Sequence, residues 1–117
     1  MPKGPEYVET ALEQIEGASK ALGALAGVEE EWKSAAQERL TSVADLLRGT
    51  MDRFFLKTRV CLPFARKCAE AAEALTALLA EQPAPGDQGR LSAALETLEK
   101  TARTLDERSM MQGMAIT

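Results

Sequence analysis

The chain contains no histidine. That absence removes Ser-His-Asp and Cys-His nucleophilic catalysis, histidine metal sites and phosphorelay histidines together. It also removes the Glu-x-x-His pattern of ferritin-like di-iron bundles. Aromatic residues are only 4% of the 117, so the core is built from Leu and Ala with few large anchors. Valine and isoleucine are scarce, which leaves little from which to make strands, whereas Ala and Leu favour helix. No run approaches the ~18 uncharged apolar residues that span a bilayer. The opening "MPKGPEYVET" has no apolar core of a signal peptide. No glycine-rich phosphate loop is present, because "GDQGR" follows no strand.

Two cysteines, Cys61 and Cys68, stand seven residues apart. On one helix their Cα atoms would lie about 10.5 Å apart at 1.5 Å per residue, beyond the roughly 7 Å limit for a disulfide. They are expected to be free thiols acting as small apolar fillers, which suits a reducing, cytoplasmic location. Their spacing matches no metal motif.

What the chain does contain is helical periodicity. Apolar residues make up 45%, enough for a single globular domain over residues 1–117. Val8, Ala11, Leu12, Ile15, Ala18, Leu22 and Leu25 form one face of a helix over about 6–26, with Pro5 in its first turn and Gly27 as C-cap. A second stripe runs Trp32, Ala36, Leu40, Val43, Leu47, Met51, Phe54, and continues past the weak spot Gly49-Thr50 through Cys61. This predicts a helix over 28–62. Pro63 then removes a backbone donor and clashes with the preceding turn, but neighbouring Leu62 and Phe64 cannot cap a helix end. The pattern predicts a kink at Pro63 rather than a turn, with the helix resuming over 63–81. A loop over 82–89 ("QPAPGDQG") leads to a last helix over 90–110, with Asp87 or Gln88 as cap, and to an apolar tail over 111–117. The expected fold is all-α, an antiparallel helical bundle of three to four helices with a long central helix kinked near Pro63.

Net charge is −4 overall, but residues 46–69 carry +5 between flanks of −5 and −4. Within this basic island, Arg53 to Cys68 holds all three phenylalanines and both cysteines. A continuous 28–81 helix would reach about 80 Å at 1.5 Å per residue, and the two shorter helices would leave about 49–64 uncovered. The expected contact surface is therefore Met51, Phe54, Phe55, Lys57, Arg59, Leu62 and Phe64. Phenylalanines would anchor a partner there, and the two cations would orient it. The alternative is a turn near Gly49 or Pro63 that buries the same phenylalanines in a closed bundle.

The Glu pairs 13/16, 70/73 and 96/99 have the spacing of a divalent-metal device. They alternate with the apolar stripes and read as solvated faces, so no metal and no cofactor is expected. Nucleic acid is disfavoured by the acidic flanks. The chain reads as a non-enzymatic protein–protein interaction module (adaptor, chaperone or assembly subunit), self-associating or docking an acidic or apolar helical surface. The other readings are a bundle that binds a small apolar ligand or lipid, and an accessory subunit of a nucleic-acid complex.

Overall fold

A computed structural model describes residues 3–81 and 88–115, with side chains described as far as residue 110. Four α-helices account for most of them: α1 (Gly4–Ala24), α2 (Glu30–Thr50), α3 (Leu62–Ala80) and α4 (Gln88–Ala115). A single 3-10 turn, Phe54–Lys57, lies between α2 and α3. No strand occurs among the described residues.

Local chemistry explains the starts and stops. Pro5 sits in the first turn of α1, where a missing N–H costs nothing. The α1–α2 link turns at Gly27, whose φ of 76° lies in the left-handed region that lacks a penalty only for glycine. Gly27 thus makes the turn, while Leu25, in extended conformation, ends the helix. Glu30 and Glu31 open α2, where carboxylates complement the helix dipole.

The expected helix over 28–62 is two separate elements. At the end of α2 the Thr50 hydroxyl donates to the Leu47 carbonyl (2.8 Å), and the last turn tightens through Met51 N–H to the Arg48 carbonyl. Arg53 is extended (φ −75°, ψ 134°), which takes the chain out of helix. Pro63 is not a kink. It stands in the first turn of α3, where its fixed φ starts a helix rather than distorting one. The uncapped neighbours Leu62 and Phe64 had argued against a helix end, yet among the described α-helices whose N-caps are defined, none has a side-chain cap.

The helices form a square bundle with unusual adjacency. Its sides are α1/α2, α2/α4, α4/α3 and α3/α1, and α2 and α3 lie on a diagonal. Side-chain bonds give the directions. Gln37 reaches back from α2 to the Ser19 carbonyl of α1, an antiparallel pair. Arg39 pairs with Glu99 and Arg53 with Asp106, so α2 and α4 run parallel. Thr76 donates to the Gln14 carbonyl, and Leu62 and Pro63 border Gly4 and Pro5, so α1 and α3 also run parallel. The most extensive packing is between α1 and α3, whose buried faces carry the small residues Ala11, Ala18, Ala65, Ala69 and Ala72. Residues 51–61 therefore form a strap that crosses one end of the bundle from α2 to the opposite corner.

The apolar stripes read from the sequence meet in one core, with Leu22, Leu40, Leu47, Leu75, Leu98 and Leu105 fully enclosed. The strap contributes Leu56, which is wholly buried and plugs the end of that core. Burying a leucine in this way is worth ~1.5–3 kcal/mol.

A candidate interaction surface at the strap end

The strap is fastened at both sides. Toward α4, the Arg53 guanidinium donates to the Asp106 carboxylate (2.6 Å), the Asp106 carbonyl (3.0 Å) and the Ser109 hydroxyl (2.8 Å). Toward α1, Gly4 is buried against the carbonyl of Leu56. Within the strap, the Thr58 hydroxyl donates to the Phe55 carbonyl at 2.7 Å. These contacts hold a short irregular segment across the bundle end, with Leu56 buried beneath it.

The side chains of 51–64 then divide by position. Met51 and Phe55 are half-buried and packed against the core. Phe55 meets Phe54 edge to face, with ring centroids 5.5 Å apart and planes at 80°. Phe54 itself is 72% exposed. Lys57 and Arg59 are exposed, and Leu62 is half-buried. Phe64 is half-buried at the start of α3, with the Arg108 guanidinium 5.2 Å above its ring. The expected contact residues thus all lie at the strap end, but they do not form one continuous stripe. Met51, Phe55 and Phe64 are partly committed to internal packing, while Phe54, Lys57 and Arg59 face outward.

Sequence reasoning missed several residues at this end. Val60 (57% exposed) and Met110 (52% exposed) join Phe54 as the large hydrophobic side chains that stand exposed among the described residues. Val60 falls off every helical stripe, which was the available signal that it lies outside a helix. Met110 reaches this end because α4 is long, and it follows Ser109, the partner of Arg53. Lys3, Gly4 and Pro5 arrive here through the parallel α1/α3 pairing, which no local pattern encodes. With Lys57, Thr58, Arg59, Leu62 and Pro63 they line an open cleft of about 860 Å³.

The thiols are buried and unbridged. Burial pushes Cys68 up to about 11, against a hydrogen bond with Thr101. Burial likewise raises Cys61, opposed by the charge of Arg108. A thiol held protonated and enclosed is a poor nucleophile. Of the glutamate pairs, Glu13, Glu16, Glu70, Glu73 and Glu96 are exposed. Glu99 is not on a solvated face: it takes a two-point pair from Arg39 across the α2/α4 contact, including Nε at 2.9 Å. This bond holds the Glu99 carboxyl below the usual carboxylate range and raises Arg39, with desolvation opposing both. No group of three or more metal-ligating side chains occurs among the described residues. No helix among them is long and apolar enough to cross a membrane. The last helix is longer than expected: α4 takes in 88–89 of the expected loop and the backbone of 111–115 of the expected tail, while 82–87 and 116–117 lie outside the described residues.

Comparison of the chain with protein-family models, with curated proteins and with solved structures gives no match. A functional reading therefore rests on the geometry alone.

Proposed function

We propose that the protein is a non-enzymatic helical interaction module that docks an acidic, partly apolar helical segment of another protein on its strap end. The observation that carries this reading is that the large hydrophobic side chains exposed among the described residues, Phe54, Val60 and Met110, are on the strap or follow Ser109, to which the strap is bonded. Exposed apolar side chains scattered singly over a surface mean little, but a group at one rigid end marks a contact site. Lys57 and Arg59 are exposed on the same strap and favour a partner of opposite charge, which they would also steer. The buried thiols fit the reducing compartment expected from the sequence.

The homodimer expected from the sequence is the less favoured form of this reading. Strap-to-strap pairing about a two-fold axis would set Lys57 and Arg59 of one copy against those of the other. Pairing of the strap end with the glutamate-rich outer face of α1 would close only if both faces met reciprocally about one axis or the repeat completed a ring.

Light scattering and titration with a synthetic Glu/Leu amphipathic helical peptide test the reading together. The purified chain is expected at its monomer mass of 12.6 kDa. The peptide should shift backbone amides over 53–60 and near 110, and Phe54→Asp should weaken binding more than tenfold without unfolding the bundle. Shifts confined to another face, or none, sink the docking surface. A dimer that Phe54→Asp dissociates would return the partner to a second copy.

A further inference from the structure

On the α1/α3 side of the strap, the 860 Å³ cleft is bordered by three cations and no acidic side chain among its described lining residues. We propose that it binds a small organic anion with an apolar body, of the kind represented by a monoalkyl phosphate or a medium-chain carboxylate. Lys3, Lys57 and Arg59 border it, all exposed, and no acidic side chain is among its described lining residues. Among the described residues none of the three is paired with a carboxylate. Several other cations of the bundle are matched, among them Lys20 with Glu16, Arg39 with Glu99 and Arg53 with Asp106; Lys67, Arg103 and Arg108 are not, but they do not border this cleft. A chain of net charge −4 that leaves three cations unmatched around one concavity concentrates positive potential there.

The walls set the rest of the ligand. Leu62, Pro5 and Pro63 give an apolar lining, so an inorganic ion would leave most of the cleft unfilled. The volume lies within the ~300–1,000 Å³ usual for small-molecule sites. A long polyanion is disfavoured, because α1 continues from the cleft with Glu6, Glu9, Glu13 and Glu16 exposed. The N-terminal ends of α1 and α3 border the cleft, and their helix dipoles add to the cations rather than carry the site. The cleft is a second use of the strap end: it shares Lys57 and Arg59 with the docking surface, but Phe54, Val60 and Met110 are not among its described lining residues.

The test is titration at low ionic strength with hexyl phosphate, inorganic phosphate and hexanol, read by backbone amide shifts. Hexyl phosphate should give saturable shifts over 57–62, with binding at least tenfold tighter than either of the others. The Lys57→Gln/Arg59→Gln double variant changes only exposed side chains and should keep the wild-type melting curve while binding hexyl phosphate at least tenfold more weakly. Phe54→Ala, which adds no charge, should leave hexyl phosphate binding unchanged, which separates this site from the docking surface. Absence of saturable shifts over 57–62, or equal binding by the double variant, overturns the proposal. So does hexanol or inorganic phosphate binding as tightly as hexyl phosphate.

Discussion

Gly4 and Leu56 meet so closely that a Cβ on residue 4 would stand 2.1 Å from the Leu56 carbonyl oxygen. The obstacle is backbone, which cannot swing aside as a side chain would. The first turn of α1 and the middle of the strap therefore approach at Gly4 more closely than any side chain would allow. Gly4→Ala would ordinarily be harmless or helpful in a helix. Here it should destabilise by about 1–3 kcal/mol, the cost of forced overpacking. Urea denaturation checks this, and an unchanged or raised midpoint would show that the strap can lift away from α1.

Neighbouring strap residues should behave in opposite ways. Leu56→Ala removes a wholly buried plug and should cost about 2–5 kcal/mol. Phe54→Ala removes a larger side chain that is mostly in water and should stay within about 0.5 kcal/mol. Thermal melts of the two variants decide it; equal losses would mean that both belong to the core.

The Arg39–Glu99 pair makes stability depend on acid pH. Glu99 is held below its ordinary range in the folded chain. Its contribution is therefore present above the unfolded carboxylate value, roughly 4.3, and is lost as pH falls through the depressed folded value. Glu99→Gln should cost about 0.5–1 kcal/mol at pH 7, a figure kept low because Arg39 is 40% exposed. The difference from wild type should shrink as pH drops below about 4.3. A wild-type-to-variant gap that stays constant down to pH 3 would rule out this linkage.

The outline of the bundle was legible because Leu and Ala recur at helical spacing, as along Leu91, Leu95, Leu98, Ala102 and Leu105, all of which are buried. The strap was not legible, for a specific reason. Leu56 and Cys61 are buried in it just as they would be in a helix, so the apolar pattern runs on unbroken. What takes the backbone out of helix is the clamp on Arg53, whose partners Asp106 and Ser109 lie more than 50 residues away. Lys33 gives a similar lesson. The stripe pointed to Trp32, yet Lys33 beside it is buried, its Nζ 3.4 Å from the Gly23 carbonyl at the end of α1. Glu99 looked like any solvated glutamate because its cation is 60 positions earlier. For the candidate site, Phe54, Lys57 and Arg59 were readable from composition, whereas Lys3 and Met110 depend on which helices lie side by side.

The bundle's adjacency also bears on how the chain assembles. Its two antiparallel hairpins, α1–α2 and α3–α4, are local in sequence and close cheaply. The largest contact, α1 on α3, joins residues some 60 apart and forms only when one hairpin meets the other. In that respect the fold is a dimer of hairpins written into one polypeptide. The eleven residues between α2 and α3 are its tether, supplying an effective concentration that two separate hairpins would lack. Cutting that tether would make the stability of the whole depend on how much protein is in the tube.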